Sequence, residues 1–391
     1  MNSRFQESAR LAAVQTPVIP IVGRWTAETP GTISLGQGIV AYGPPDEAVA
    51  AAHAFPTMAG EHRYGPVEGL PALIDVFTAK LASENGIHVE RGSRVIVTAG
   101  SNLAFMNAVM AIADPGDEFI FPLPYYFNHN MAVMMANCVS VGVKTHDDYQ
   151  LDVDAIERAI GPKTRAVVTC SPNNPTGAVY TEASLRAVNA LCKARGLFHI
   201  HDEAYEYFTY DGDVNFSPGS IDDAAGHTIS LYSLSKAYGM ASWRIGFMVI
   251  PDALFSAVNK IQDTLLISTP QIAQRVAVAA LNIGASYPRA HAARIGALRP
   301  RVHAALADPS VPCDAADVHG AFYHFLRVHT SMTSMTLAER LVREHKVAVI
   351  PGEAFGVNDV CAIRVSFGAL DEATVDAGIG RLTAGLKALC R

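Results

Sequence analysis

Residues 166–205 read AVVTCSPNNPTGAVYTEASLRAVNALCKARGLFHIHDEAY. The short β-branched run at 166–169 and the apolar run at 197–200 are both predicted to be strands. Between them, residues 182–195 carry apolar side chains at the spacing of an α-helix. A strand, a helix and a second strand in this order indicate a βαβ crossover, which joins two parallel strands.

The same alternation continues outward from this unit in both directions. Further strands are predicted at 94–98, 118–121, 139–143, 228–231 and 246–250, and further helices at 103–112, 131–137 and 153–160. Short apolar strands that alternate with helices predict an α/β fold, with a mostly parallel sheet that is covered by helices on both faces.

The composition and the predicted pattern of helices and strands differ at the two ends of the chain. Residues 1–45 are rich in proline and glycine and are predicted to be an irregular N-terminal arm that packs with the C-terminal part. Residues 46–284 are predicted to be the large domain. Residues 285–391 are predicted to be a smaller α+β domain, with a helix at 288–306 that breaks near Pro300 and period-two strands at 320–328 and 362–367.

Composition and charge exclude several classes of protein. The 391 residues carry a formal net charge of −7, so no basic footprint for nucleic acid or an anionic membrane is expected. The six cysteines form no C-x-x-C pair, which argues against a disulfide scaffold and against a metal site. With no signal peptide and no long apolar run, a cytoplasmic protein is expected, with small molecules as its partners.

Polar side chains follow five of the predicted strands, where open α/β sheets bind their ligands. These residues are Gly100, Ser101 and Asn102 after 94–98, Tyr126 after 118–121, Asn174 after 166–169, Asp202 and Tyr205 after 197–200, and Ser233, Ser235 and Lys236 after 228–231. Because parallel strands end at the same edge of a sheet, these groups are expected to meet. Together they suit a planar, phosphorylated, cationic heterocycle.

Each group has both a functional and an ordinary explanation. The amides after Gly100 open a helix and could bind a phosphate with help from Arg244, or they could form a simple βα turn. Asp202 could keep a pyridine nitrogen protonated, or it could be a helix N-cap. Lys236 could be a desolvated amine that forms a Schiff base, or a solvated surface charge.

Arg364 lies in a predicted strand with alternating side chains. Ile363, Val365 and Phe367 share one face, so Arg364 projects from the other. A planar guanidinium matches a carboxylate with two parallel hydrogen bonds, although an exposed arginine on the open face of a sheet is the alternative.

Five segments, in this order along the chain, resemble the signature set of class I/II aminotransferases of pyridoxal 5'-phosphate (PLP) fold type I, the aspartate aminotransferase superfamily. They are SPNNPTG at 171–177, DEAY at 202–205, SLSK at 233–236, WRIG at 243–246 and RVS at 364–366. The resemblance covers roughly residues 30–380. It implies a PLP enzyme that passes an amino group from an amino acid to a 2-oxo acid by a ping-pong route, through an aldimine at Lys236.

The resemblance also implies individual roles. The catalytic residues would be Lys236, Asp202 and Tyr205, with Asp202 at the pyridine nitrogen and Tyr205 and Asn174 at the phenolic oxygen of the ring. Tyr126 would stack on the ring. The phosphate would be held by Gly100, Ser101, Asn102, Ser233, Ser235, Arg244 and, from the other subunit of a homodimer, Tyr64. Arg364, Asn174 and the backbone at Gly38 would take the substrate α-carboxylate.

Some features leave alternatives open. His129 could support Asp202 or be a loop histidine, and His201 could bond to a neighbouring strand or perturb Asp202. Asn174-Pro175 is a candidate cis peptide. No second arginine is identifiable for a side-chain carboxylate, and Leu35-Gly36-Gln37-Gly38 resembles the branch that handles glutamine, kynurenine, methionine or aromatic donors, so a neutral or aromatic amino donor is favoured.

Two other functions compete with transamination. The first keeps the cofactor but changes the reaction, as in a β-lyase or a cyclising synthase on the same fold. The second is a PLP-binding regulatory module, against which the irregular arm and the negative charge argue.

Overall fold

A computed structural model of the protein describes residues 7–57 and 60–390. The strands are β1 (Ile33–Ser34), β2 (Ser93–Thr98), β3 (Glu118–Leu123), β4 (Val139–Lys144), β5 (Thr164–Cys170), β6 (Phe198–Asp202), β7 (Thr228–Ser233), β8 (Gly246–Pro251), β9 (Cys313–Ala315), β10 (Tyr323–Val328), β11 (Val347–Ala348), β12 (Ile350–Pro351) and β13 (Ala362–Ser366). The helices are α1 (Ala9–Ala12), α2 (Val18–Glu28), α3 (Asp46–Ala54), α4 (Pro71–Lys80), α5 (Ser101–Ile112), α6 (Phe127–Met135), α7 (Val153–Ala159), α8 (Glu182–Arg195), α9 (Leu234–Ala237), α10 (Phe255–Leu265), α11 (Gln271–Asn282), α12 (Ser286–Gly296), α13 (Arg299–Leu306), α14 (Ser334–His345) and α15 (Glu372–Leu389).

Seven strands form the central sheet in the order β2-β8-β7-β6-β5-β3-β4. All neighbouring strands are parallel except β8, which runs antiparallel to both β2 and β7. The connection from β7 to β8 contains α9, which has only four residues, so it lacks the long crossover helix that usually joins parallel strands. The predicted α/β fold with a mostly parallel sheet is confirmed.

Both faces of the sheet are buried, as the continuous apolar strands predict. On one face Phe247 of β8 stacks on Phe77 of α4, with ring centroids 3.7 Å apart. Its neighbour Met248 points to the other face and packs in the cluster that contains Phe105 of α5. This double cover leaves the ends of the strands as the accessible edge of the sheet.

A second sheet, in the order β12-β13-β10-β9, is antiparallel. All five residues of β13 are buried, so the expectation that one face of this strand is open is wrong. Arg364 projects into the protein and is only 2% exposed. The helix predicted at 288–306 is split between α12 and α13, and Pro300 lies in the first turn of α13, where its missing N–H costs no hydrogen bond.

The N-terminal arm is less irregular than predicted. Helix α2 has eleven residues, and β1 pairs in parallel with β11 through Ile33 and Val347. Pro20 lies in the first turn of α2, where backbone N–H groups have no partner within the helix, so the proline does not prevent it. The predicted division of the chain at residues 45 and 285 stays a prediction.

Within residues 7–57 and 60–390, no helix combines the length and the apolar composition that crossing a bilayer requires. The histidine, cysteine, aspartate and glutamate side chains of the same residues form no cluster of three or more that could hold a metal ion.

Candidate active site

The polar groups that follow the strands converge on one cavity. Its lining consists of Ser101, Asn102, Tyr126, Cys170, Asn174, Asp202, Ala204, Tyr205, Ser233, Ser235, Lys236 and Arg244. The cavity therefore brings together most of the residues that the sequence singled out. Gly100 adjoins Arg244 of this lining, and Arg364 donates a hydrogen bond to Asn174 of the lining. Gly38 adjoins Arg364, and Tyr64 does not lie among the lining residues.

Lys236 is presented to the cavity by α9, directly after the buried strand β7. Burial, and then the positive charges of Arg364 and Arg244, lower the pKa of its amine to about 8. The hydroxyl of Tyr42 donates a 2.7 Å hydrogen bond to the Lys236 carbonyl and so holds the backbone at this point. Among residues 7–57 and 60–390, no carboxylate lies within ion-pair distance of the amine. The Lys236 amine therefore loses its proton at a lower pH than an ordinary lysine amine does.

Asp202 ends β6 and is fixed by two contacts. Its Oδ1 accepts a 3.0 Å hydrogen bond from the Ala204 amide, and its Oδ2 lies 3.1 Å from His129 Nε2. The side chains of Asp202 and His129 are both 3% exposed. The His129 ring stacks on Phe105, with centroids 4.1 Å apart. His129 is therefore not a loop residue but a buried side chain of α6 that contacts the Asp202 carboxylate.

The turn at Gly100 is built around the Arg244 guanidinium. Gly100 has a φ of +86°, and a Cβ there would lie only 2.2 Å from Arg244 Nη2. Arg244 donates to the Ala241 carbonyl at 2.8 Å and lies 3.5 Å from Ser235 Oγ. The free amides of Ser101 and Asn102 begin the twelve-residue helix α5. A guanidinium beside a helix N-terminus is suited to an anion such as phosphate.

Two hydrogen bonds connect Arg364 to Tyr205 through the Asn174 side chain. Arg364 Nη1 donates to Asn174 Oδ1 at 3.0 Å, and Asn174 Nδ2 donates to Tyr205 Oη at 3.2 Å. Arg364 Nη2 donates to the Gly36 carbonyl at 2.7 Å, while its Nε has no hydrogen-bond partner in the part of the chain that the structure describes. A buried cation with a free N–H is suited to bind an incoming carboxylate.

Two aromatic rings that the sequence analysis did not single out flank Arg364. Its guanidinium carbon lies 4.8 Å from the centroid of Tyr323 and 5.2 Å from that of Phe355. Gly38 adjoins the same group, since a Cβ there would be 3.7 Å from Arg364 Nη1. Tyr323 begins β10, which pairs with β13, so this pairing brings its ring beside the RVS segment. Neither aromatic contact could be read from the sequence, because both depend on how distant segments pack.

The structure answers two questions that the sequence left open, the role of His201 and the conformation of the Asn174-Pro175 peptide. His201 Nδ1 lies 2.7 Å from Thr169 Oγ1 on the neighbouring strand β5, so His201 bonds to that strand. Burial, and then the neighbouring His199, keep the pKa of His201 well below its usual range, so the ring is neutral. The Asn174-Pro175 peptide is cis, as expected, and Leu123-Pro124 and Ser171-Pro172 are cis as well.

Tyr64 stands apart from the cavity. Its side chain is 80% exposed, the largest exposed fraction among the large apolar and aromatic side chains that are exposed. A role for Tyr64 in the neighbouring subunit's site stays a prediction.

Comparison with known proteins identifies the family. Residues 30–382 match the family described as aminotransferase class I and II. The aromatic aminotransferase ISS1 of Arabidopsis thaliana is 33% identical over 100% of this chain and 98% of its own length. A probable aspartate/prephenate aminotransferase of Aquifex aeolicus is 32% identical over 84% of each chain.

Solved structures agree with these sequences. A single mutant of Thermus thermophilus aspartate aminotransferase superposes with a TM-score of 0.88 at 30% identity, over 97% of this chain and 100% of that one. Amino-acid transamination is the activity that these relatives share, rather than a lyase or a regulatory function. The chain belongs to the class I and II aminotransferases, enzymes of PLP fold type I, and it is a transaminase.

Proposed function

We propose that this transaminase binds PLP covalently through Lys236 and passes amino groups from a neutral or aromatic amino acid to a 2-oxo acid. The observation that carries the proposal is the position of the Lys236 amine, in one cavity with the Asp202 carboxylate and the anion site at Gly100 and Arg244. When bound, PLP supplies a ring that withdraws electrons from the substrate Cα.

The residues present have the chemistry that PLP requires. The amides of Ser101 and Asn102 and the guanidinium of Arg244 would hold the phosphate, together with the hydroxyls of Ser233 and Ser235. At the opposite end, the Asp202 carboxylate would pair with the protonated ring nitrogen, and His129 would keep this carboxylate in place.

Further residues would orient the ring and the substrate. Asn174 and Tyr205 would donate hydrogen bonds to the phenolic oxygen, and the Tyr126 ring would pack against the cofactor. Arg364, with Asn174 and the Gly38 backbone, would take the substrate α-carboxylate. Lys236, freed from the cofactor by the amino donor, would take the proton from Cα, for which a pKa of about 8 is well matched.

The lowered pKa of Lys236 predicts how the protein free of cofactor captures PLP. Only the deprotonated amine attacks an aldehyde, so the rate of capture should rise with pH and level off above about pH 8, rather than near the value of about 10.4 of an ordinary lysine. Stopped-flow absorbance of the bound cofactor between pH 6 and 10 measures this rate. A tenfold increase for each pH unit up to pH 10 would contradict the prediction.

Gly100→Ala is expected to weaken PLP binding by about tenfold or more, because a Cβ would displace the Arg244 guanidinium and remove a charged hydrogen bond to phosphate. Gly92→Ala is the matched control, since Gly92 has a φ of +106° with nothing within 4 Å of its Cβ position. Both variants should also lose stability through backbone strain, since both positions have a positive φ: about 1–3 kcal/mol at Gly100, whose ψ is 164°, and about 1–2 kcal/mol at Gly92, whose ψ is 24°. Equilibrium dialysis should show weaker PLP binding only for Gly100→Ala.

The amino donor is proposed to be neutral or aromatic because, among the described residues, the cations that line or adjoin the cavity already have other roles. Lys236 and Arg244 would hold the cofactor and Arg364 the α-carboxylate, which leaves no cation for a side-chain carboxylate. In the described part of the chain, the other buried cations are Lys80 and Arg299, and each already pairs with a carboxylate. The relatives are named for aromatic, aspartate and prephenate substrates, so donors of each kind belong in the test.

Single-turnover assays with a panel of amino acids would test this function. Aromatic and neutral donors should convert the bound cofactor fastest, and 2-oxoglutarate should restore it. Release of pyruvate and ammonia without an acceptor would instead indicate a β-lyase. Cofactor that no amino donor converts would overturn the proposal.

We also propose a homodimer and a cytoplasmic location. The dimer is supported by the exposed Tyr64, which would contribute to the phosphate site of the partner subunit. The location is supported by the six cysteines, which are free thiols. Residues 1–45, 46–284 and 285–391 are proposed as the arm, the large domain and the small domain.

A further inference from the structure

Tyr205 has a hydroxyl partner besides Asn174. The oxygen atoms of Tyr205 and Tyr323 lie 2.7 Å apart, and both rings are buried, at 5% and 1% exposure. This is the one hydrogen bond that the Tyr323 hydroxyl makes within the described residues. Tyr323 is the first residue of β10, a strand of the second sheet, so the contact joins that sheet to the end of β6.

The 2.7 Å contact allows either hydroxyl to donate, and a ligand in the cavity would select between the two arrangements. A phenol has one proton and accepts at its oxygen. If Tyr205 gave its proton to Tyr323, it would have none for a ligand, and its oxygen would present only lone pairs to the cavity. If Tyr323 donates, the Tyr205 oxygen accepts from both Tyr323 and Asn174, and its own proton is directed into the cavity.

We propose that Tyr323 is a positioning residue, whose hydroxyl acts through Tyr205 by orienting the Tyr205 proton toward the cofactor's phenolic oxygen. This inference rests on the proposed binding of PLP at Lys236. Hydrogen bonds in such chains polarise one another, so a Tyr205 that accepts two bonds is a stronger donor of its own proton.

Gly38 leaves the space that the Tyr323 hydroxyl occupies. A Cβ at position 38 would lie 2.8 Å from Tyr323 Oη but 3.6 Å from Cζ, so it conflicts with the hydroxyl and not with the ring. The Tyr323 ring also packs against Arg364, whose Nη1 donates to Asn174, and Asn174 in turn donates to Tyr205. These contacts form a closed ring, which joins the carboxylate site at Arg364 to the Tyr205 hydroxyl. Its members are Tyr323, Arg364, Asn174 and Tyr205.

Spectroscopic pH titration of the holoenzyme with Tyr323→Phe tests the proposal. A hydrogen bond from Tyr205 to the phenolic oxygen favours the deprotonated form of the imine between lysine and cofactor. Losing the Tyr323 hydroxyl should therefore raise the pKa of this imine by about 0.4 to 1 unit, the equivalent of one hydrogen bond. kcat should fall, while KM for the amino donor should change less than about twofold, since the ring beside Arg364 remains.

Tyr149→Phe is the matched control. Tyr149 is 4% exposed and donates a 2.9 Å hydrogen bond to the carbonyl of Phe325, which lies in β10 like Tyr323. Tyr149 is not among the residues that line the cavity. This variant should leave the cofactor's pKa unchanged. Gly38→Ala provides a second approach, because its methyl group should displace the Tyr323 hydroxyl and raise the same pKa, with no further rise in the double variant with Tyr323→Phe.

If the pKa of the bound cofactor in Tyr323→Phe lies within about 0.2 unit of the wild-type value, the proposed role of Tyr323 is wrong, while the proposed function stands. A wild-type protein that shows no lysine-bound cofactor spectrum would overturn the proposed function, and this inference with it. The two failures are therefore distinguishable in one experiment.

Discussion

Lys236→Arg is expected to reduce transamination by roughly 10⁴-fold or more, the upper end of what a single acid–base group contributes. A guanidinium keeps the positive charge but neither forms an imine nor gives up its proton near neutral pH. The variant should still bind PLP without a covalent bond, because Asp202, Arg244 and the amides after Gly100 are unchanged. Steady-state kinetics and absorbance spectra of purified protein measure the two effects.

Lys260→Arg is the control for this experiment. Lys260 is exposed on α10 and is not among the residues that line the cavity, so its replacement should leave kcat and the cofactor spectrum unchanged. A Lys236→Arg protein that retains one tenth of the wild-type activity would show that another amine carries the reaction.

Arg364→Lys should raise KM for the amino donor by roughly 10- to 100-fold, since an ammonium cannot replace the two parallel hydrogen bonds of a guanidinium. The effect should be similar for different amino acids, because they share the α-carboxylate. The midpoint temperature of thermal unfolding should also fall, because Asn174 Oδ1 and the Gly36 carbonyl each lose a hydrogen-bond donor inside the protein.

Arg327→Lys is the matched control, as this residue lies on the adjacent strand β10. Its guanidinium packs over the Tyr149 ring and pairs with Asp147, much as Arg364 packs over Tyr323, but it does not adjoin the cavity. KM should be unchanged in Arg327→Lys. An Arg364→Lys protein with the wild-type KM would mean that the substrate carboxylate binds elsewhere.

Local patterns were sufficient to predict the sheet and the edge at which the cavity lies. Most of the parallel strands are short apolar runs, and polar residues follow them directly in the sequence, so Lys236 and Asp202 could be assigned to one edge. The direction of β8 was not predicted, because the strand pattern alone carries no information on the orientation of its neighbours.

The arm helix was missed because proline and glycine dominated the prediction for residues 1–45. Pro17 and Pro20 interrupt the sequence, yet Pro17 is the N-cap of α2 and Pro20 lies in its first turn, where prolines are tolerated. Tertiary packing helps to hold α2 in place, since Val22 is buried among residues from distant parts of the chain, and a local pattern does not report such contacts.

Groups that meet only through tertiary contacts could not be placed from local patterns. Tyr205 and Tyr323 are 118 positions apart, and Arg364 and Asn174 are 190 apart. Burial of Arg364 depends on the packing of β13 against other elements, which period-two alternation does not report. Those contacts determine how the Tyr205 hydroxyl and the Arg364 guanidinium are oriented, and predictions made strand by strand do not include them.

The most direct test of the site is to reduce the holoenzyme with borohydride, digest it, and locate the attached cofactor by mass spectrometry. Borohydride fixes an imine between lysine and PLP as a stable amine. We predict that the added mass lies on the peptide that contains Lys236 and is lost in Lys236→Arg. A label on a different lysine, or no label on a protein that still transaminates, would contradict the assignment.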